Sequence, residues 1–328
     1  MTSIAVIGSG LSGLTLAHKL RSQFEVQIFE KAPKPGGRIT SRLSPHFTFD
    51  HGAQFFSVKT PTFAEFIHPM LESGVIADWQ ARFVEIDVDE ITSHREWTGE
   101  FPHYVGTPSM AAISEWLSNG LNIHYDAKVT QLIQKDKQWI VETEDGLRSQ
   151  PFDWLITTPP VEQASALLPD HIVYKTSLAA IKMLPCYALM VALKESPNLA
   201  FDAALVKDQN LSWISVNHTK PGRKGFGLVS HAANTWAAEN IDIPLPEVKK
   251  KMLATLLKIT NISPEIIVET DIKRWVYANI AKQDGPPYFI DHANRIASCG
   301  DWCIAGRVEA AFTSGSLLAN TIIEMNSP

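Results

Sequence analysis

The chain has 328 residues, of which 45% are hydrophobic and 20% charged, and its formal net charge at pH 7 is −6. This composition predicts a globular enzyme with a large core, and the scattered basic residues exclude an electrostatic surface for nucleic acid or a membrane. Three cysteines fit neither a disulfide framework nor a metal site, and we recognise no signal peptide or membrane span, so we expect a cytoplasmic protein without a metal.

The first predicted elements are a strand, a glycine-rich turn and a helix, in the stretch IAVIGSGLSGLTLAHKL (residues 4–20). The glycines fit the G-x-G-x-x-G pattern at Gly8, Gly10 and Gly13. In that pattern they permit a tight turn, the approach of a pyrophosphate and close packing of the helix, whose first amides face the phosphates. The next strand ends in Glu30, which we expect to accept hydrogen bonds from ribose hydroxyls and to disfavour NADP at this site. The pattern predicts a dinucleotide but leaves NAD and FAD open.

The remaining elements follow from helix caps, breakers and hydrophobic patterns. In chain order they are a turn at 34–39, a helix at 61–73, strands within 79–105, a helix at 108–118, a strand pair at 121–134 and 138–146 with its turn at 135–137, a buried strand at 152–160, a helix at 161–168, a buried strand at 178–193, a helix at 246–258, a strand ending at residue 301 and a long helix from about residue 308. Thr107 and Pro108 are expected to be the cap and first residue of the second helix.

Two further stretches favour FAD over NAD. In PGGRIT (35–40), Arg38 can place its guanidinium against a pyrophosphate. Near the other end, Asp301 can hold a ribityl hydroxyl, and the helix from Val308 can direct its free amides at the pyrimidine edge of a flavin. The small residues of that helix also suit plain packing against a sheet, which is the alternative. Signatures at both ends predict that the ends share one domain and that the middle is inserted as a second.

Several motifs together resemble the FAD-dependent amine oxidase superfamily, and within it most nearly a bacterial renalase-like group. They are the glycine turn, PGGR, FDHGAQFF (49–56), TPSM (107–110) and GDW…GRVEAAFTSG near the end. The resemblance implies an α/β fold, with a doubly wound Rossmann-type FAD-binding domain (a parallel sheet) and an inserted α+β mixed-sheet substrate domain. We predict the FAD-binding domain at 1–75, 104–164 and 285–328, and the substrate domain at 76–103 and 165–284. A Ser-Gly-Gly-Cys-Tyr tether and a C-terminal membrane tail are not found, so non-covalent FAD and no membrane anchor are expected.

Carried over residue by residue, the resemblance predicts the positions that contact FAD. These are Gly8, Gly10, Leu11, Ser12, Gly13, Glu30, Lys31, Gly36, Gly37, Arg38, Ala53, Gln54, Val129, Gly300, Asp301, Val308 and Ala310. Val129 matches the position whose backbone meets the adenine.

Hydride transfer to a flavin requires a donor carbon positioned in a dry slot more than it requires an acid or a base. The predicted substrate-facing residues are Gln54, Phe55, Trp275 and Tyr277. Trp275 and Tyr277 occupy alternate strand positions and so face the same way. A plain core role is the alternative for each aromatic residue. Candidate polar partners are His51, His231 and Lys182, and no convincing general base is evident, which favours a dihydropyridine donor over a protonated amine.

The renalase-like resemblance implies oxidation of dihydro isomers of NAD(P)H to NAD(P)⁺, with dioxygen as electron acceptor and a small molecule as the partner. A soluble amine oxidase or a desaturase acting on an apolar amine or polyene is the first alternative. The second is a non-catalytic flavoprotein that serves as an interaction module. The physiological substrate and the oligomeric state are left open.

Overall fold

The computed structural model describes residues 1–207 and 209–326. The helices are α1 (Leu11–Leu20), α2 (Pro61–Glu72), α3 (Ala111–Ser118), α4 (Val161–Leu167), α5 (Lys175–Ala180), α6 (Asn234–Glu239), α7 (Leu245–Thr260) and α8 (Val308–Asn326). The strands are β1 (Ser3–Ile7), β2 (Glu25–Phe29), β3 (Arg42–Leu43), β4 (Thr48–Phe49), β5 (Ile76–Asp78), β6 (Arg82–Asp87), β7 (Glu90–Glu96), β8 (Tyr104–Gly106), β9 (Asn122–His124), β10 (Val129–Lys135), β11 (Gln138–Thr143), β12 (Trp154–Thr157), β13 (Leu184–Leu193), β14 (Ala203–Lys207), β15 (Leu211–Val216), β16 (Phe226–Ala232), β17 (Ile267–Asn279), β18 (Phe289–Asp291) and β19 (Ile296–Ser298).

The chain forms two compact units, of which the first comprises Met1–Arg38, Ser114–Met183 and the residues from Ile280 onward. Its main sheet has the strand order β18-β19-β12-β1-β2-β9 in the described residues, and every pair is parallel except β18 with β19. Strand β12 is buried along its whole length, as expected for a central parallel strand covered on both faces. This parallel sheet confirms the predicted Rossmann-type fold class.

A β-hairpin in the first unit confirms part of the predicted strand pair at 121–134 and 138–146, whereas Asn122–His124 forms a separate strand, β9, that pairs with β2 in the main sheet. Strands β10 and β11 are antiparallel, and Asp136 and Lys137 form the two-residue turn between them. Both turn residues have positive φ, at 51° and 63°, which is the backbone geometry of the tight turns that match the twist of a hairpin.

The second unit comprises Ile39–Ile113 and Leu184–Asn279. Its sheet has the order β17-β13-β16-β15-β14-β6-β7 within the described residues, and β14 pairs with β6 in parallel while the other neighbours are antiparallel. Helix α7 buries Val248, Met252 and Leu256, at helical spacing, in the core on one face of this sheet. The predicted mixed sheet is therefore present.

Two sequence predictions of local structure are wrong. Helix α3 begins at Ala111 and not at Pro108, because the first backbone bond of this segment runs from the amide of Ala112 to the carbonyl of Ser109 at 3.1 Å, and the amide of Met110 donates to the carboxylate of Asp50 at 2.9 Å. The predicted strand over 178–193 begins only at Leu184, since its first residues belong to helix α5, where Leu and Ala favour a helix.

The division into units differs from the predicted domain boundaries at residues 39–75, 104–113, 165–183 and 280–284. Strands β5 and β8 pair, which joins residues 104–106 to the second unit. In the same unit, Phe49 packs against Met190 and Val229. Among residues 1–207 and 209–326, none of the helices combines the length and the apolar character needed to cross a membrane.

Candidate functional site

The glycine-rich turn between β1 and α1 is held together by close backbone packing. Gly8 has φ of +99°, and a Cβ added there would lie 2.8 Å from the hydroxyl of Thr158. A Cβ on Gly13 would collide with the carbonyl oxygen of Gly8. Both positions therefore require glycine for the fold itself, as the pattern predicts.

Gly10 differs from these two glycines because the space beside it is open. Apart from Gly10 itself and its two chain neighbours, no atom in the described residues lies within 4 Å of where its Cβ would be, and no side chain of that part of the chain caps the first turn of α1. The second glycine turn lies alongside: Gly36 forms a β-bridge with Gly10 and donates its amide to the carbonyl of Ser9 at 2.9 Å. Two glycine turns and an uncapped helix start form a cradle that fits the pyrophosphate of a dinucleotide.

Glu30 is buried beside this cradle. Its Oε2 accepts hydrogen bonds from the amide and the hydroxyl of Ser9, both at 2.8 Å, and its Oε1 accepts from the amide of Ala32 at 2.8 Å. The carboxylate therefore fixes the backbone of the glycine turn through its hydrogen bonds to Ser9. Its predicted contact with a ribose stays a prediction.

Arg38 and Asp301 form a bidentate ion pair within the first unit. Arg38 Nη1 donates to Asp301 Oδ2 at 2.7 Å, and Nη2 bonds the other carboxylate oxygen. Asp301 follows β19, and the amide of the preceding Gly300 donates to the hydroxyl of Ser314 at 2.9 Å. Two residues predicted to contact FAD from opposite ends of the sequence are therefore adjacent.

Helix α8 packs directly against α1, so the two ends of the chain lie side by side. A Cβ on Gly315 would be 2.5 Å from the carbonyl oxygen of Ser12, and the Ser12 hydroxyl donates to the carbonyl of Ala311 at 2.6 Å. This close approach explains the run of small residues in α8, which begins at Val308 and buries Ala310. The helix starts therefore belong to one contiguous candidate site, as expected from the sequence.

The other predicted FAD contacts are more dispersed. Lys31 is exposed and donates to Gln163 at 3.3 Å. Val129 is buried at the start of β10, and the nearby amide of Ala127 donates to the carbonyl of Glu30 at 2.8 Å, which brings this strand to the glycine turn. Ala53 and Gln54 belong to the second unit. All predicted contacts with FAD remain predictions, although the cradle and its surroundings fit the cofactor.

A buried charge cluster lies in the second unit, formed by Asp50, Lys220 and Arg223. The three side chains are fully buried, with Asp50 Oδ2 at 2.5 Å from Arg223 Nη2 and 3.5 Å from Lys220 Nζ. Burial alone would raise the pKa of Asp50, but Lys220 and Arg223 hold it below its ordinary value. The carboxylate is therefore ionised and fully paired.

Lys220 connects this charge cluster to Gln54. Lys220 Nζ donates to Gln54 Oε1 at 3.0 Å, and Ser215 donates to the same oxygen at 2.8 Å. Gln54 Nε2 donates to the backbone carbonyls of Asp50 and Gly52, at 2.5 and 3.0 Å. Burial lowers the pKa of Lys220 to about 7 although Asp50 opposes the shift, so its ammonium can release a proton near neutral pH.

Two of the three predicted polar partners join this cluster. His231 Nε2 lies 3.3 Å from Gln54 Nε2, and burial and the charge of Lys220 lower its pKa to about 3. Burial, with nearby cations, lowers the pKa of His51 to about 4, and the His51 ring stacks on Trp275 at 5.4 Å between centroids. The Trp275 indole donates to the His51 carbonyl at 2.8 Å. Both imidazoles are neutral at pH 7. The third partner, Lys182, is exposed and belongs to the first unit.

Phe55 lies in an aromatic cluster of the second unit. Its ring centroid is 4.8 Å from that of Trp97, 5.2 Å from that of His103 and 5.4 Å from that of Trp213. Tyr277, the last predicted substrate-facing residue, is half-buried on β17. The segment 50–56 therefore places a polar side chain, Gln54, beside the charge cluster and the next side chain among aromatic rings.

Sequence reasoning missed several residues of these two clusters: Trp97, His103, Trp213, Lys220 and Arg223. The cations occur in NHTKPGRKG (217–225), which has the composition of an exposed turn. The alternation of side chains on β15 could have indicated part of this site. Ile214 and Val216 enter the core below the sheet, so Trp213 and Ser215 share the opposite face.

Comparisons with known proteins agree with this geometry. The NAD(P)-binding Rossmann-like domain family matches residues 6–68, and the flavin containing amine oxidoreductase family matches residues 63–323. Renalase from Mus musculus is 22% identical over 326 aligned residues, which cover 92% of each chain. A 4,4′-diapophytoene desaturase from Staphylococcus aureus is 50% identical over 50 residues, or 15% of this chain and 10% of that protein.

Solved structures of oxidases share the fold. A proposed protoporphyrinogen oxidase from Exiguobacterium sp. 255-15 superposes with a TM-score of 0.76 and 12% identity over 98% of both chains. A wild-type putrescine oxidase bound to putrescine superposes with a TM-score of 0.70 and 14% identity, over 98% of this chain and 99% of that one.

These matches define the class of the protein, which is an FAD-dependent oxidoreductase built on a Rossmann-like sheet. Because the second family match spans most of the sequence, the chain belongs to the flavin containing amine oxidoreductase family. The predicted superfamily, FAD as the cofactor and the enzymatic class are thereby confirmed. A small-molecule substrate and oxygen as electron acceptor are consistent with this family.

Proposed function

We propose that the protein oxidises dihydro isomers of NAD(P)H, reduced at the wrong ring position, to NAD(P)⁺. The observation that carries the proposal is the similarity to a renalase along 92% of both chains, whereas the desaturase match is confined to 50 residues. Held at the cradle by Gly10, Arg38 and Asp301, FAD would supply an acceptor for the hydride of the dihydropyridine ring and a route for its two electrons to dioxygen, which with two protons gives hydrogen peroxide.

The cradle residues have a binding role in this proposal. Gly10 would leave room for the pyrophosphate of the cofactor, and the amides at the start of α1 would donate to it. Arg38 and Asp301 supply a guanidinium and a carboxylate beside the cradle, for phosphate and ribityl oxygens respectively. None of these residues exchanges a proton with the substrate.

The charge balance of the second unit supports an uncharged donor. The carboxylate of Asp50 is saturated by Arg223, Lys220 and the amide of Met110, so it offers no partner to a protonated amine. With Lys220 protonated, the buried cluster carries a net positive charge, which repels a cationic substrate. A dihydropyridine ring is neutral and needs no such partner.

Amine oxidation is the second candidate, and Lys220 favours it. An amine must lose its proton before it can donate a hydride, and a buried lysine with a pKa of about 7 is able to accept a proton near neutral pH. The putrescine oxidase fold is compatible with this alternative.

Anaerobic titration of the purified holoenzyme separates the two. Dihydronicotinamide isomers should bleach the visible flavin absorbance stoichiometrically, while putrescine and benzylamine leave it unchanged. Admission of air should restore the absorbance and release hydrogen peroxide. Bleaching by the amines, with no response to the dihydronicotinamide isomers, would overturn the proposal in favour of amine oxidation.

A further inference from the structure

A cavity of about 440 Å³ opens in the second unit, within the size range of small-molecule sites. It is lined by Phe55, Phe83, Arg95, Glu96, Trp97, Thr98, Phe101, His103, Leu205 and Trp213. Six of these ten side chains carry aromatic rings. They come from separate segments of the sequence, and Phe55 is the one that the sequence predicted to face the substrate.

Three of the rings, those of Phe83, His103 and Trp213, lie nearly parallel to the ring of Trp97. Trp97 stacks on His103 with centroids 3.7 Å apart and planes 7° apart, and on Phe83 at 5.3 Å and 17°. Trp213 lies 6.4 Å from Trp97 with its plane rotated by 19°. Phe55 is tilted by 53° against Trp97. His103 covers one face of Trp97, and the aromatic faces that remain favour a flat ring that stacks on them over a flexible aliphatic chain.

The charged groups around the cavity bear on the same choice of ligand. The indole nitrogen of Trp213 has no hydrogen-bond partner among residues 1–207 and 209–326, but it is closed to solvent and therefore presents no donor to the cavity. The cation–π position over Phe83 is already taken by the guanidinium of Arg95, at 4.9 Å. An ammonium ligand would therefore meet an existing cation over Phe83, where the guanidinium is paired with Glu85 at 3.1 Å, while Glu96 is the one carboxylate among the lining residues.

We propose that this cavity binds a planar nitrogen heterocycle of the substrate by stacking on Trp97 and Trp213. The inference rests on the proposed function, because a dihydronicotinamide dinucleotide carries two such rings, nicotinamide and adenine. It extends that function by assigning the residues that recognise one of these rings, and it predicts that such a ring binds in preference to an aliphatic amine.

Isothermal titration calorimetry of the holoenzyme tests the assignment with three probes: nicotinamide mononucleotide, adenosine monophosphate and putrescine. One mononucleotide should bind, and Trp213→Leu and Trp97→Leu should each weaken it about tenfold or more, as expected for the loss of a stacked aromatic ring. Trp213→Phe keeps a ring and should retain most of the affinity. Trp236→Phe is the matched control, since Trp236 packs against the core on Tyr187 and does not line the cavity.

The two mononucleotides distinguish the source of the ring, because the one whose affinity falls in the leucine variants is the one that the cavity holds. Unchanged mononucleotide affinity in both leucine variants would overturn the proposal, and so would tighter binding of putrescine or no binding of either mononucleotide to the wild type. Flavin reduction is read separately. If dihydronicotinamide isomers bleach all variants with wild-type KM, the function stands and the cavity assignment fails. If they bleach none while mononucleotide binding depends on Trp213, the function fails and the ring site remains.

Discussion

Substitution of Asp50 by Asn tests whether one buried carboxylate holds the second unit together. In the wild type, Asp50 balances two cations that have no contact with solvent, Arg223 at 2.5 Å and Lys220 at 3.5 Å. Asparagine keeps the size of the side chain but removes the negative charge. Breaking a buried ion pair by removing one partner costs about 3–5 kcal/mol, because the remaining charge stays buried without compensation.

The structure indicates where in that range the loss should fall. Arg223 keeps two backbone acceptors, the carbonyls of Gly106 and Pro221 at 2.5 and 2.7 Å, but cannot lose its proton. Lys220 can lose its proton, since its pKa is already lowered to about 7 by burial. At pH 8 the variant therefore carries one uncompensated cation and should lose about 3 kcal/mol. At pH 6 the loss should be larger, towards about 5 kcal/mol, because without Asp50 the pKa of Lys220 falls further and the variant must release, or hold without a partner, a proton that the wild type keeps.

Urea unfolding followed by tryptophan fluorescence measures this loss at both pH values. The matched control is Asp170→Asn, which removes the same charge from a fully exposed partner of Lys175 and should unfold at the wild-type midpoint. Adding Lys220→Met to Asp50→Asn should recover part of the stability at pH 6, because it removes one of the two stranded cations. If Asp50→Asn costs less than about 1 kcal/mol at both pH values, the carboxylate is not the balancing charge and the reasoning is refuted.

The remaining predictions concern the cradle and the titrating groups. Gly10→Ala should leave the apoprotein as stable as the wild type but weaken the binding of FAD at least about tenfold in a flavin-fluorescence titration. Gly13→Ala should instead destabilise the fold itself. If Gly10→Ala binds FAD with wild-type affinity, the cradle does not hold the pyrophosphate. Between pH 7 and pH 10 the free energy of unfolding of the wild type should rise relative to that of Lys220→Met, because this lysine binds its proton more tightly in the unfolded chain than in the folded protein. A difference in urea midpoint that does not change with pH would contradict the lowered pKa of Lys220. His51 and His231 have pKa values of about 4 and 3, so the free energy of unfolding should fall as the pH drops from 6.5 towards 4, because the unfolded chain takes up protons there and the folded protein does not. His231→Asn should make this fall with pH less steep, and an equally steep fall in the variant would contradict the lowered pKa of His231.

The FAD-binding unit could be predicted from the sequence because its chemistry is local. Gly8 and Gly13 are constrained by atoms of the same turn and its neighbouring strand, so the pattern of glycines reports the backbone geometry directly. The contact of Gly315 with Ser12 joins opposite ends of the chain, yet it too leaves a local mark, the run of small residues in α8. The boundaries of the units depend on strand pairing, which leaves no such mark.

The charge cluster could not be predicted in the same way. Lys220 lies in a Pro-Gly turn, where a lysine is ordinarily solvated. Its burial follows from Asp50, which is 170 positions away in the sequence and reaches it only after the second unit has folded. Charged residues are buried when they are paired, and pairing between distant segments is not visible in either segment alone.

The geometry of β15 explains how the two clusters of the second unit occupy fixed positions side by side. Successive side chains of a strand alternate between its faces, so Trp213 and Ser215 lie on one face while Ile214 enters the core on the other. Ser215 bonds Gln54, and Trp213 packs against Phe55. A slip of one residue that brought Ile214 and Val216 to these contacts would exchange the faces and bury an indole and a hydroxyl in the core. The hydrophobic core beneath the sheet therefore determines the register of the strand, and the register places a polar contact next to an aromatic one. Neighbouring residues of the 50–56 segment can thus take part in two different kinds of interaction without any flexibility of the segment itself.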